Sequence, residues 1–135
     1  MSDLTKLSAV ELSGELTKGS ISAVEVTKAH LDRINSLDKA VQSFLHVDNA
    51  GAIKQAEEVD KNRKENKKVS ALAGVPLALK DVLTQQGVPT TCGSKILEGW
   101  IPPYDSTVVK KLKSCLLYTS PSPRDYAASR MPSSA

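Results

Sequence analysis

The chain has 135 residues, and its 18 Lys and Arg residues exceed its 15 Asp and Glu residues by only three. Such a length suits one small domain, and so mild a positive charge does not by itself imply a nucleic-acid-binding surface. Its two isolated cysteines, Cys92 and Cys115, exclude a disulfide framework and a CxxC metal site, and they favour a reducing compartment.

Capping signals predict two helices in the first part of the chain. Two Ser-x-x-Glu capping boxes occur there, Ser8 with Glu11 and Ser22 with Glu25. The first helix is short, because Lys18 and Gly19 supply a basic last turn and a C-cap. The apolar spacing after the second box predicts an amphipathic helix over residues 23–37.

A strand and a third helix are predicted next. Residues 41–47, VQSFLHV, are apolar and β-branched over a length typical of a strand. Asp48 or Asn49 can then cap a helix, which has a predicted buried stripe: Ala52, Ile53, Ala56 and Val59. A second strand is predicted over residues 75–80, and the alternation of helix and strand indicates an α/β layout with helices covering a sheet.

The second strand carries the residue most suggestive of chemistry. In the run GVPLALKD, residues 74–81, alternation places Val75, Leu77 and Leu79 on one face and Lys80 on the other. Burial would favour the neutral amine, which could act as a base. A solvated lysine at a strand end is the other interpretation. Asp81 is expected to point away from Lys80 and to end the strand or cap the next turn.

The last predicted elements lie in residues 87–114. Glycine and proline mark residues 87–94 as a loop, and Ser94 to Leu97 are predicted to form a helical turn. Asp105 or Ser106 can cap a final helix that ends around Ser114.

From Cys115 onward the composition changes. Residues 115–135 contain three prolines, five serines and no glycine, and they show no helical or strand period. This composition predicts a disordered tail. The sequence LLYTSPSPRD is similar to translated adapter or vector sequence. We therefore expect residues 115–135 to be non-native and residues 1–114 to form the N-terminal part of the domain.

Two blocks of residues 74–113 carry a family resemblance. The sequence GVPLALKD, followed by the sequence GVPTTCGSKILEGWIPPYDSTVVKKL, resembles the start of an amidase-signature enzyme. Within that family, TTCGSKIL and PPYDSTVV are most similar to the A subunit of the tRNA-dependent aspartyl/glutamyl amidotransferase. The implied fold is the N-terminal part of the amidase-signature α/β fold, with helices packed on a mixed sheet and apolar faces left uncovered.

The resemblance implies a serine hydrolase with a Ser-cisSer-Lys triad, in which Lys80 matches the catalytic lysine. Lys80 would take a proton through a bridging serine so that the nucleophilic serine attacks an amide carbonyl. Both serines lie beyond the family's first hundred residues. None of Ser94, Ser106 and Ser114 has a Gly-Ser-Ser-Gly context, so we expect the chain alone to hydrolyse no amide.

For the complete enzyme, the resemblance implies glutamine as the ammonia source and B and C subunits as partners in a heterotrimer. The ammonia would amidate an activated Glu or Asp on misacylated tRNA, a reaction that uses ATP and Mg²⁺. This chain itself is expected to hold no cofactor and no metal. Because no apolar run approaches the ~20 residues of a membrane span, we expect no membrane partner and a cytoplasmic protein, or one of an organelle matrix.

Two other interpretations remain open. The chain could belong to another amidase-signature hydrolase that acts on small or fatty amides. It could instead be a helical adaptor that contacts tRNA or a partner through the basic residues 61–68 and the first two helices. His30 and His46 lack neighbours at catalytic or metal-ligand spacings, and both are predicted to be structural.

Overall fold

The computed structural model of the protein describes residues 3–114 and 118–122. The main helices and strands occur in the following order: α1 Ala9–Lys18, α2 Ala23–Val41, α3 Asn49–Lys64, β1 Pro76–Lys80, α4 Thr107–Ser114 and β2 Tyr118–Ser122. Short 3-10 helices at Leu4–Lys6 and Lys95–Leu97 complete the described part. The helical content with a small sheet fits a piece of an α/β fold, as the sequence predicts.

The helix starts follow the capping signals. At α1 the Ser8 hydroxyl accepts from the Glu11 amide at 3.3 Å, while the Ser8 amide donates to the Glu11 carboxylate at 2.7 Å. The same reciprocal pair opens α2, and Gly19 ends α1 in the left-handed conformation with φ 72°. These caps satisfy backbone N–H groups that a helix start leaves without partners, so the capping predictions are confirmed.

The predicted strand at residues 41–47 is wrong. Helix α2 continues to Val41, four residues beyond its predicted end, and Gln42 then turns the backbone with φ 53°. The Ser43 amide donates to the Asp38 carboxylate at 2.6 Å, which holds this turn against the helix end. A strand needs a neighbour to pair with, and in the part of the chain that the structure describes only β1 and β2 form a sheet.

Three helices and the entry to β1 share one core. Its buried members come from α1, α2, α3 and the residues before β1: Leu12, Leu16, Ala23, Val26, Ala56, Val59, Ala73 and Val75. Gly74 lies among them with φ 88°, and a Cβ there would sit 2.9 Å from the Ala23 Cβ. Only glycine permits both this backbone conformation and this close approach.

The sheet includes five residues of the segment that was predicted to be a tail. Residues 118–122 form β2, which pairs in parallel with β1 so that Pro76 lies opposite Tyr118 and Lys80 opposite Ser122. An open strand edge pairs with an extended segment whatever its side-chain pattern, which is why composition did not reveal β2. Residues 115–117 and 123–135, where the rest of the predicted disordered tail falls, lie outside the described residues.

Candidate active site around Lys80

The last residue of β1 is Lys80, and its side chain is exposed. The preceding Leu79 is buried at 3% exposure, and Leu77 packs partly buried against the main core. Alternation along the strand therefore directs Lys80 away from the core, as the sequence predicts. Among the described residues the Lys80 side chain is exposed, and its role as a base stays a prediction.

Asp81, the residue after Lys80, accepts several hydrogen bonds through its side chain. It is buried at 5% exposure, and its carboxylate accepts three hydrogen bonds: from the Thr91 amide at 2.9 Å, the Thr91 hydroxyl at 2.6 Å and the Gly93 amide at 3.1 Å. Buried carboxylate oxygens need such donors. The loop at residues 91–93 is thus tied to the residue that directly follows the candidate lysine.

The loop held by Asp81 has an unusual backbone. Cys92 and Gly93 have φ values of 52° and 68°, so two consecutive residues occupy the left-handed region. A cysteine there is uncommon, because its Cβ crowds the backbone. Cys92 is an exposed free thiol. The hydrogen bonds to Asp81 on either side of it are what hold this conformation.

Sequence reasoning expected Asp81 to end the strand and missed its partners. Asp81 does follow β1 directly, but it bonds a loop ten residues away rather than the next turn. The available signal was the pairing of an Asp after a buried strand with a later Thr-x-Gly loop rich in donors. Such a long-range pairing has no fixed spacing.

The segment after Lys80 folds back on itself. Three backbone amides donate across it: Ser106 to Thr84 at 2.9 Å, Gly87 to Pro102 at 3.1 Å and Thr90 to Trp100 at 3.1 Å. The helical turn predicted over Ser94 to Leu97 is the 3-10 helix at Lys95–Leu97, and Ser94 is its N-cap. Helix α4 follows, with the Ser106 hydroxyl accepting from the Val109 amide at 3.4 Å. Residues 84–106 therefore form a double loop, whose outgoing and returning halves are joined by these three backbone hydrogen bonds.

Asp105 ties this double loop to α4. It accepts from the Gln86 amide at 2.8 Å and from the Lys113 ammonium at 2.8 Å. Burial acts to raise the pKa of Asp105, but the hydrogen bonds from Lys113 and the Gln86 amide outweigh it and lower the pKa below its usual 3.8. The carboxylate is therefore stabilised in its charged form.

This shift predicts an acid-sensitive contact. Because the pKa of Asp105 is lower in the folded chain than in the unfolded chain, its stabilisation is present above about pH 4 and is lost as the pH falls through the folded value. We expect Lys113→Met to lower the free energy of unfolding near pH 6 and to flatten its decline between pH 5 and pH 2. Denaturant unfolding followed by circular dichroism over this range measures both effects, with Lys111→Met as the matched control. An equal decline in both variants would contradict this assignment.

The basic residues 61–68 lie in the last turn of α3 and in the residues that follow it. They border a cleft of about 630 Å³ at the ends of α1 and α3, with Lys18 and Lys64 in its lining. Arg63 donates to the Ala73 carbonyl at 3.0 Å, and Lys67 forms an ion pair with Glu65 at 2.6 Å. Part of the charge that an adaptor would offer to tRNA is thus used within the fold.

The start of α2 also borders this cleft, and its amides are already paired. The Asp60 carboxylate accepts from the Ala23 amide at 2.8 Å and from the Val24 amide at 3.1 Å. Sequence reasoning missed this contact, since its partners are more than thirty residues apart. A carboxylate at this position disfavours an anion site at the helix start.

Metal ligands and membrane spans are not found within residues 3–114 and 118–122. There, no three His, Cys, Asp or Glu side chains are grouped so that they could hold a metal ion. His30 Nδ1 lies 2.8 Å from the Val26 carbonyl within α2, in keeping with a structural role, while the structural role of His46 stays a prediction. No helix in this part is both long and apolar enough to cross a membrane.

Comparison with known sequences gives two concordant results. The Amidase family matches residues 25–115. The A subunit of glutamyl-tRNA(Gln) amidotransferase from Streptomyces coelicolor is 57% identical over 114 residues, which is 84% of this chain and 23% of the relative. The protein of the same name from Acidothermus cellulolyticus is 58% identical over 113 residues, 84% of this chain and 22% of the relative. The chain thus spans about a quarter of these curated relatives, in their N-terminal part.

Solved structures resemble the fold at lower identity. The peptide amidase from Stenotrophomonas maltophilia superposes with a TM-score of 0.80 at 27% identity, over 86% of this chain and 24% of that one. A fatty acid amide hydrolase superposes with a TM-score of 0.81 at 25% identity, over 91% of this chain and 22% of that one. In both, the shared fold is one part of a larger chain.

Proposed function

Because this chain belongs to the amidase family, we propose that it is the lysine-bearing N-terminal part of a glutamine-hydrolysing amidotransferase A subunit. The observation that carries the proposal is the difference in identity. The chain is 57% identical to the Streptomyces coelicolor subunit, but only 27% identical to the peptide amidase and 25% identical to the fatty acid amide hydrolase. The amidotransferase is therefore favoured over another amide hydrolase.

Lys80 is proposed as the base of the site. It stands at the end of a strand whose other face is anchored in the core, with its amine directed outward. Burial by the remainder of such a subunit would favour the neutral amine. The amine could then take the proton of a bridging serine, which in turn activates the nucleophilic serine for attack on the glutamine amide. Both serines would come from the remaining three quarters of such a subunit.

The three serines between Lys80 and the end of α4 have other roles. Ser94 and Ser106 accept from the Ile96 and Val109 amides at 3.3 and 3.4 Å, and Ser114 donates to the Lys111 carbonyl at 2.7 Å. These are helix-capping or helix-end bonds. The 135-residue chain alone is therefore proposed to hydrolyse no glutamine.

The wider reaction follows from the same proposal. Ammonia released from glutamine would pass to partner B and C subunits. There it would amidate an ATP-activated Glu or Asp on misacylated tRNA, with Mg²⁺ assisting the activation. This chain contributes the proton-accepting amine and the strand that positions it.

Two matched chimeras test the proposal. Residues 1–114 replace the corresponding segment of the Streptomyces coelicolor subunit in one, and that of the Stenotrophomonas peptide amidase in the other. We expect glutamine hydrolysis by the first chimera, assembled with its partner subunits, and no peptide-amide hydrolysis by the second. Each parent enzyme, rejoined at the same position, is the control for the junction. Activity in the peptide amidase chimera alone would favour the general amide hydrolase instead.

A further inference from the structure

Lys80 lies between two buried residues. Leu79 before it is 3% exposed, and Asp81 after it is 5% exposed. The Lys80 carbonyl accepts from the Leu83 amide at 2.9 Å, so the backbone turns directly after the lysine. The main chain at Lys80 is therefore held on both sides, by the strand that precedes it and by the residues that follow it.

The Asp81 carboxylate holds the side that follows Lys80. Its Oδ1 accepts from the Thr91 amide at 2.9 Å, and its Oδ2 accepts from the Thr91 hydroxyl at 2.6 Å and from the Gly93 amide at 3.1 Å. Using both oxygens fixes the orientation of the carboxylate as well as its position. Because all three partners are donors, a side-chain amide of the same size would place an N–H group against one of them.

The effect of Asp81 on Lys80 passes through the main chain. Lys80 is exposed whereas Asp81 is buried, so the two side chains leave the backbone toward different surroundings. A general base must lie within hydrogen-bond reach of the proton that it takes. A misplacement of about 1 Å can slow an enzymatic reaction about 10²-fold. Restraint of the backbone at Lys80 therefore bears on the rate of proton transfer.

Resting on the proposed function, we propose that Asp81 is a positioning residue for glutamine hydrolysis. Its carboxylate, bonded to Thr91 and Gly93, holds the backbone at Lys80 so that the amine reaches the bridging serine. The effect falls on kcat, because the loop and not glutamine occupies the carboxylate. The role also requires the Lys80 amine and disappears where that amine is absent.

Steady-state kinetics of the Streptomyces coelicolor chimera test this role. Asp81→Asn keeps the size of the side chain and replaces one acceptor oxygen by a donor. We expect it to lower kcat about 10- to 100-fold and to leave the KM for glutamine within about threefold of the parent. Thr91→Val removes the hydroxyl donor and should lower kcat about three- to tenfold, whereas Thr91→Ser keeps the donor and should stay within about twofold.

Asp105→Asn is the matched control. Asp105 is 13% exposed and likewise accepts three hydrogen bonds, from the Gln86 amide and twice from the Lys113 ammonium. These bonds tie the double loop to α4 and not to the residue after Lys80. We expect the kcat of this variant to stay within about threefold of the parent, with circular dichroism showing that each variant is folded.

A double substitution separates positioning from a general loss of structure. In the chimera that carries Lys80→Ala, adding Asp81→Asn should lower the residual rate no further, because the amine that Asp81 positions is gone. A structural role independent of the lysine would lower the rate by the same factor in both backgrounds.

Three results would overturn the positioning role while the parent chimera is active. The first is an unchanged kcat in Asp81→Asn, and the second is an equal loss in Asp105→Asn. The third is a further loss of the same size when Asp81→Asn is added to Lys80→Ala. Each of these leaves the proposed function intact. A parent chimera that hydrolyses no glutamine rejects the proposed function, and the positioning role with it.

Discussion

Replacing Lys80 by alanine in the Streptomyces coelicolor chimera is expected to lower kcat for glutamine hydrolysis by about 10²- to 10⁴-fold, the usual contribution of a general base. The KM for glutamine should change little, because the proposed role of the amine is to move a proton and not to hold the substrate. Lys80→Arg should be equally impaired, since a guanidinium stays protonated and cannot accept the proton. Steady-state ammonia release measures both constants.

The matched control for this prediction is Lys95→Ala. Lys95 is an exposed lysine in the 3-10 helix at Lys95–Leu97, and its loss should leave glutamine hydrolysis within about twofold of the parent chimera. If Lys80→Ala retained most of the activity while the chimera remained folded, the assignment of the base to Lys80 would be rejected.

Asp81→Ala is expected to be the most disruptive change beside the site. It leaves the Thr91 amide, the Gly93 amide and the Thr91 hydroxyl without their carboxylate acceptor in a region that is partly buried. Unsatisfied groups of this kind cost about 1–3 kcal/mol each when water cannot reach them, so we expect a loss of about 2–4 kcal/mol. The left-handed turn at Cys92 should then open, because the bonds to Asp81 on its two sides oppose the backbone strain there.

Amide hydrogen exchange in the chimera measures this loss locally. A loss of about 2–4 kcal/mol corresponds to exchange at Thr91 and Gly93 roughly 30- to 900-fold faster. Asp32→Ala, which removes an exposed carboxylate from α2, is the control and should leave both rates unchanged. Unchanged exchange in Asp81→Ala would show that the three hydrogen bonds do not hold the loop.

The features that were predictable from sequence are local. A capping box joins a serine to a glutamate three residues later, so both partners lie within one short window, and the starts of α1 and α2 were predicted correctly. The position of Lys80 at the end of β1 follows from alternation in the same way. Its role as a base stays a prediction, because the chemistry depends on serines outside this chain.

The features that were missed depend on distant partners. Residues 41–47 have strand composition, but without a neighbouring strand in the described residues, α2 continues to Val41 and an irregular turn follows. β2 forms because β1 offers an edge, despite its Ser and Pro content. The Asp81 carboxylate finds its donors ten and twelve residues on, at a separation that no propensity scale records.

The absent side chain of Gly74 has a mechanical consequence for the lysine. The point where a Cβ would collide lies between α1, α2 and α3, and β1 begins two residues later and ends at Lys80. At about 3.3 Å per residue in extended backbone, the segment from Gly74 to Lys80 spans at most roughly 20 Å. A tilt of this segment by only a few degrees at Gly74 would therefore displace its end by about 1 Å, and a misplacement of that size can slow an enzymatic reaction by about 10²-fold. The position of Lys80 therefore depends on the close packing of the three helices around Gly74.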